Sequence, residues 1–240
     1  MNTTTVKRAS DQRHILGTIM SHSETLPAGH FHHLEPETAY HASKFGMWLF
    51  LATEILFFGG LFCAYFYYFS AYHETWMEAS RLQNVILGMI NTNVLILSSM
   101  FVALSIWSVQ KGRNRTAQIL LTLTIVCGFA FLVIKGFEYY AHWTEGLFPG
   151  PNFVWEGPEA MMRPAQLFFW LYWVMTGLHA AHMVIGISII AFLLYKVSKR
   201  TYSPEYFTPL ELGGLYWHLI DIIWVFLFPL LYLMGGHYGQ

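Results

Sequence analysis

Hydrophobic residues along this chain gather into five long runs that short polar segments separate. The runs cover about 45 to 70, 84 to 110, 116 to 142, 165 to 195 and 212 to 235. Each run is long enough to cross a bilayer, which requires about 20 apolar residues in a helix. Lipid offers the backbone no hydrogen-bond partner, so spanning segments of this length are helical. The pattern therefore predicts an all-α fold, a polytopic membrane helical bundle with five transmembrane helices.

The first 43 residues are polar and contain six of the twelve histidines. We predict two parts, a polar, His-rich cytoplasmic N-terminal tail over 1–43 and a five-helix transmembrane domain over 44–240. His30, His32 and His33 suggest a metal site at first sight. A metal ion needs ligands held in a fixed array, which a polar tail does not supply. A solvated tail without metal is the prediction.

Basic residues are distributed unevenly between the two sides of the predicted membrane. Ten of the thirteen Lys and Arg lie before the first run and in the second and fourth connecting segments, and only Arg81 and Arg163 lie in the other connections. This bias predicts a cytoplasmic N-terminus and an external C-terminus. The net charge of -1 argues against a nucleic-acid partner, which would require a basic surface.

Glu54 is the only charged residue between Gly46 and Phe69. In a helix it lies about 12 Å from the start of this run, well inside the hydrocarbon core. An ionisable group at such a depth is costly and is commonly retained for function. Glu54 is therefore the first candidate for a proton-related role.

Lys135 and Glu138 form a second polar group, in the third run. Their i, i+3 spacing places both on one face of the helix. Two interpretations remain open, an internal ion pair or a lysine that snorkels beside a glutamate in interfacial water.

The fourth run contains His179 and His182 on one side of its helix. Two histidines so placed cannot provide both axial ligands of one haem, which argues against haem binding. Packing within the bundle or contact with lipid or another subunit is favoured.

The fifth run contains His218 and Asp221 on adjacent turns, flanked by Trp217 and Trp224. A histidine and an acid so spaced can neutralise one another, so this pair is interpreted as structural first. We expect the two tryptophans to contact lipid or a neighbouring subunit.

The sequence contains no phosphate-binding glycine loop, no paired-carboxylate metal pattern and no nucleophile beside a base. We therefore expect neither catalytic residues nor a metal site in this chain.

Four segments occur in the same order as in subunit III of the haem-copper respiratory oxidases. The resemblance runs from about Lys44 to Met234 and rests on GMWLFLATEILFFGGLFCAY, KGFEYY, TGLHAAHMVIG and YWHLIDIIWVFLFPLLYL. It implies the five-helix bacterial type, a non-catalytic subunit of a proton-pumping cytochrome c oxidase that reduces oxygen to water. The implied location is the bacterial inner membrane, with the C-terminus in the periplasm.

The resemblance also implies partners and cofactors. Subunit I is expected to bind directly, with subunit II and other oxidase subunits in the same complex. Haem and copper are expected in those subunits and none in this chain, which is expected to bind phospholipid and to support proton uptake. Glu54 matches the carbodiimide-reactive glutamate of the cytochrome c oxidase branch, whereas quinol oxidases tend to have Asp there.

Two alternatives remain. The chain could be an accessory subunit of a quinol oxidase or nitric oxide reductase, or an independent proton or ion transporter that uses Glu54. Lys135 differs from the residues that the resemblance implies at this position. The His-rich tail lies outside the segments that carry the resemblance.

Overall fold

The computed structural model describes residues 36–204 and 206–236. Within these residues the elements are helical, and five helices are long and apolar enough to cross a membrane, which confirms the predicted fold class. Residues 36–43 belong to a different compact unit from the chain that follows from Lys44 onward. The helices are α1 (Pro36–Ala71), α2 (His73–Arg81), α3 (Val85–Gln110), α4 (Asn114–Thr144), α5 (Met162–Ser198) and α6 (Thr208–Phe228).

The short helix α2 is the main element that the hydrophobic pattern did not predict. Its buried residues are Thr75, Trp76, Ala79 and Ser80, which lie on one side of the helix. The helix is amphipathic and too short to cross a bilayer, so a search for long apolar runs passes over it.

A longer connection, rich in Pro and Gly, joins α4 to α5. Gly146 has a φ of 75°, which ends the helical path after Thr144. A single 3₁₀ turn, Glu159–Met161, precedes α5. We call the side of the domain that carries this connection the loop end.

Four helices, α3 to α6, pack around one another, each against two of the others. Helix α1 packs on them more loosely and is held mainly by side chains. Its buried residues include Leu51, Phe58 and Tyr65. Contacts made by single side chains therefore determine how α1 is attached.

Glycines allow the closest approaches between helices of the bundle. A Cβ at Gly128 of α4 would lie 2.9 Å from Ile187 Cγ1 and 3.0 Å from Trp217. A Cβ at Gly186 of α5 would lie 3.0 Å from Ile220 and 3.2 Å from the Trp217 ring. Small residues at these positions let α4, α5 and α6 approach, and Trp217 fills the space between them.

The end of α6 changes to a π turn over Pro229–Leu233. Tyr65 of α1 donates a hydrogen bond to the Leu230 carbonyl. From α2, Ser80 Oγ donates to the Leu231 carbonyl at 3.0 Å, and Arg81 Nε donates to the Gly235 carbonyl at 2.8 Å. The π turn and the residues after it therefore join α1 and α2 to the bundle at the loop end.

Replacement of Gly128 by Ala should destabilise the bundle by about 1–3 kcal/mol, because the added methyl group overpacks the contact with Ile187 and Trp217. Gly136→Ala is a matched control on the same helix, because a Cβ there meets nothing within 4 Å. The free energy of unfolding in mixed detergent should fall for Gly128→Ala only. Equal effects of the two substitutions would contradict this account of the helix contact.

Candidate functional site

Glu54 of α1 is paired with His182 of α5. Glu54 Oε2 lies 3.0 Å from His182 Nε2, and each side chain is 18% exposed. The other ring nitrogen, His182 Nδ1, lies 2.8 Å from the Leu178 carbonyl oxygen one turn earlier in the same helix. The bond to Leu178 orients the imidazole, and Nε2 is directed to the carboxylate.

The Glu54–His182 pair is sheltered by apolar groups without being fully enclosed. The Phe58 ring, one turn after Glu54, lies edge-on to the imidazole at 5.3 Å. Ile55, Leu56 and Phe57 follow Glu54 and are exposed on the outside of α1. The pair therefore lies near the lateral surface, where it can hold a proton between two helices at membrane depth.

Lys135 and Glu138 of α4 form a fully internal ion pair. Lys135 Nζ lies 3.2 Å from Glu138 Oε2, and the two side chains are 3% and 2% exposed. Of the two interpretations left open by their spacing, the structure has the internal pair and not the snorkelling lysine.

Two tyrosines complete this group, which we call the Lys135 cluster. Lys135 Nζ donates to Tyr172 Oη at 3.1 Å and to Tyr232 Oη at 2.7 Å. Both hydroxyl groups donate in turn to Glu138 Oε1, the Tyr172 bond being 2.7 Å long. The cluster joins α4, α5 and the π turn through a closed set of charge-assisted hydrogen bonds.

The lysine of the cluster also lies among aromatic rings. Its Nζ is 5.0 to 5.4 Å from the ring centres of Tyr139, Tyr172, Trp224 and Tyr232. Cation–π attraction adds to the ion pair, which offsets part of the cost of burying the charge.

The pairing of His218 with Asp221 suggested by their spacing is wrong. Within the described residues no ion pair of up to 4.0 Å joins them, and each finds a serine of α3 instead. His218 Nδ1 hydrogen-bonds with Ser99 Oγ, and Ser98 Oγ lies 3.5 Å from Asp221 Oδ2. The reason is geometric: Asp221 is directed into the bundle, whereas half-buried His218 lies nearer its outer surface.

Direct contact with lipid or another subunit is also wrong for His179, Trp217 and Trp224, because each is fully buried within this chain. The His179 ring packs 5.3 Å from Phe131 and 5.0 Å from Trp224. Each indole group donates to α3: Trp217 Nε1 to Ser98 Oγ at 3.0 Å and Trp224 Nε1 to Thr92 Oγ1 at 3.1 Å. Of the four residues suggested for such contact, only His182 has an exposed part.

No cluster of three or more His, Cys, Asp or Glu side chains suited to a metal ion occurs in the part of the chain that the structure describes. The tail prediction for His30, His32 and His33 falls outside these residues. The polar groups of the spans can store charge and share protons.

Sequence reasoning missed the partners that come from other helices. Glu54 and His182 are 128 positions apart, and nothing in the local pattern connects them. Tyr172 and Tyr232 lie within apolar runs and carry no charge that would single them out. The available signal was the hydroxyl group, because a tyrosine inside a span commonly finds a hydrogen-bond partner.

Comparison with known proteins gives the family. The family model described as cytochrome c oxidase subunit III matches residues 19–147 and 163–236. The chain is 31% identical over 192 residues to quinol oxidase subunit 3 of Bacillus spizizenii, a match that covers 79% of this chain and 86% of that protein. It is 28% identical over 211 residues to cytochrome c oxidase subunit 3 of Oncorhynchus mykiss, covering 85% and 74%.

A third relative is cytochrome c oxidase subunit 3 of Corynebacterium diphtheriae, 28% identical over 191 residues, with 79% of this chain and 86% of that protein covered. The family match includes all five spanning helices and the residues of both polar groups. The chain therefore belongs to the cytochrome c oxidase subunit III family of the haem-copper oxidases.

Proposed function

We propose that this chain is the non-catalytic subunit III of a proton-pumping terminal oxidase that reduces oxygen to water. Family membership supports a place in an oxidase complex. The observation that carries the proposal is the Glu54–His182 pair, an ionisable group at membrane depth that lies near the lateral surface. A pair in this position suits proton support for a neighbouring chain better than chemistry within this one.

The partners in this proposal supply the redox centres. Subunit I carries haem and copper and binds this chain directly, with subunit II in the same complex. The chain contributes apolar helix surface and bound phospholipid around subunit I. Proton uptake is supported from its side of the interface, so that reactive oxygen intermediates are protonated and consumed promptly.

Cytochrome c is the electron donor that we propose, because Glu54 is the residue found in the cytochrome c oxidase branch. A quinol is the second candidate, and one observation favours it: relatives with 31% and 30% identity are named quinol oxidase subunit 3. The purified complex decides between the two by which reductant, cytochrome c or a quinol, supports oxygen consumption.

An independent transporter is the alternative from a different functional class. Purification of this chain from its native membrane separates the two possibilities. Larger subunits with haem and copper should co-purify with it, whereas a homo-oligomer without them would favour transport.

Hydrophobic carbodiimide should label Glu54 in the native complex, because its carboxyl group is accessible from the membrane and is near His182. Glu54→Gln should abolish the label, as measured by peptide mass spectrometry. Glu138→Gln is the matched control and should leave the label unchanged, because Glu138 is enclosed by Lys135 and two tyrosines. Labelling of Glu138 to the same extent in the unchanged protein would show that Glu54 is not specially placed.

The proposed orientation puts the loop end in the periplasm. In a Cys63→Ser, Cys127→Ser background, Asn152→Cys should react with a membrane-impermeant thiol reagent added to intact cells, and Lys111→Cys should react only after permeabilisation. Both positions are exposed, so accessibility of the side chain is matched. The reverse pattern would reverse the orientation.

Removal of this chain from the oxidase should leave the initial rate of oxygen consumption near normal, because haem and copper remain in the other subunits. The rate should then decay faster over successive turnovers, since slower proton delivery prolongs reactive intermediates. The measurement is oxygen consumption by stripped and intact complex under continuous turnover. Immediate loss of activity with haem and copper intact would show a direct catalytic role.

A further inference from the structure

One lateral surface of the domain combines apolar side chains with two polar side chains, each of which has one atom without a hydrogen-bond partner among the described residues. We call it the α3–α6 face, and it consists of Asn93, Ile96, Met100, His218, Ile222 and Val225. His218 is half-buried and the others are exposed. The hydrogen bond between Ser99 and His218 joins the two helices beneath it.

Asn93 is the polar group that α3 contributes to this face. Its Nδ2 donates to the Met89 carbonyl at 2.9 Å, one turn earlier in the same helix. Its Oδ1 has no hydrogen-bond donor among the described residues. The side chain is exposed, between the apolar residues Met89 and Ile96.

His218 is the polar group that α6 contributes. Its Nδ1 is satisfied by Ser99, whereas Nε2 has no partner among the described residues and is not enclosed. Ile222 and Val225 continue the same side of α6 at helical spacing and are 53% and 42% exposed. The opposite side of this helix contains buried Trp217 and Trp224, so α6 presents only one strip to the outside.

Both polar groups lie inside the hydrocarbon core. Asn93 is about 12 Å along α3 from Val85, and His218 is about 15 Å along α6 from Thr208. A hydrocarbon core about 30 Å thick covers both levels in helices of this length. Neither side chain is long enough to reach the headgroups, as a lysine or arginine would.

The depth of these two polar groups determines what can cover the α3–α6 face. Acyl chains have no hydrogen-bonding groups, so lipid would leave Asn93 Oδ1 and His218 Nε2 unpaired, at a cost that the bilayer core makes substantial. A transmembrane helix with hydroxyl or amide side chains would satisfy both groups and cover the apolar residues between them.

We propose that the α3–α6 face binds a transmembrane helix of another oxidase subunit, which hydrogen-bonds to Asn93 and His218. This inference rests on the proposed function, because membership of an oxidase complex supplies helices of other chains. It goes further in assigning the interface to the α3–α6 face. This face lies on the edge of α6 next to α3, whereas the hydrogen bond between His182 and Glu54 lies on the other side, where α6 packs against α5.

Photo-crosslinking in native membranes tests the assignment. A benzophenone amino acid at Met100 or Ile222 should form crosslinks to another oxidase subunit, identified by mass spectrometry. Val126 of α4 is the matched control, because it is 58% exposed and lies on a face without an unpaired polar group. We expect crosslinks to a protein at the first two positions and mainly to lipid at Val126.

A substitution tests the hydrogen bond itself. Asn93→Leu should speed the release of this chain from the detergent-solubilised complex by about threefold, the effect of a typical hydrogen bond between membrane helices. Thr122→Val is the control, because exposed Thr122 bonds only to its own helix, at the Gln118 carbonyl. Equal release rates for the two variants would contradict a role for Asn93.

Crosslinks only to lipid, or only to a second copy of this chain, at Met100 and Ile222 would overturn the inference. A haem-containing complex that co-purifies without these crosslinks would overturn the interface alone and leave the proposed function intact. Absence of any haem- or copper-containing partner would instead overturn the proposed function.

Discussion

The absence of water from the bilayer core is the constraint on which the rest of this structure depends. Backbone polar groups in a span must be satisfied within the protein, and charged side chains there are costly unless they are paired. Two sites in the described spans reduce this cost in different ways. Lys135 and Glu138 form a closed cluster with two tyrosines, whereas Glu54 depends on a histidine of another helix.

These arrangements differ in what they leave accessible. The Lys135 cluster surrounds its charges with an ion pair, hydrogen bonds and aromatic rings, and it joins α4, α5 and the π turn. The Glu54–His182 pair has a single polar contact between helices and remains partly exposed. A site that exchanges protons with a neighbour needs such access, and this is why the proposed function centres on Glu54.

The fold could be predicted from the sequence because membrane spans are local features. Five apolar runs gave five spanning helices, with ends that differ by several residues. Helix α2 was missed because its pattern is amphipathic and short. The i, i+3 spacing placed Lys135 and Glu138 on one helical face but left two interpretations open, and the structure has the internal ion pair.

The sites could be predicted only in part, because their partners come from distant positions. His182 reaches Glu54 only when α5 packs beside α1, and Tyr232 reaches Lys135 only through the π turn after α6. The expected His218–Asp221 pair failed for the same reason: two serines of α3 offered better geometry than a neighbour on the same helix. Helix packing determines which of these side chains meet, and local spacing along the sequence does not reveal that packing.

The hydrogen bonds to the end of α6 have a consequence for biosynthesis. Helix α1 precedes the other spanning helices described here, yet Tyr65 finds its acceptor at Leu230, 165 positions later and beyond α6. Ser80 and Arg81 likewise find their hydrogen-bond acceptors late in the chain, at the carbonyls of Leu231 and Gly235. Until translation has passed the π turn and the residues after it, α1 and α2 lack these attachments at the loop end. The π turn then attaches α1 and α2 to the bundle, so the loop end of the domain can close only after α6 has been made.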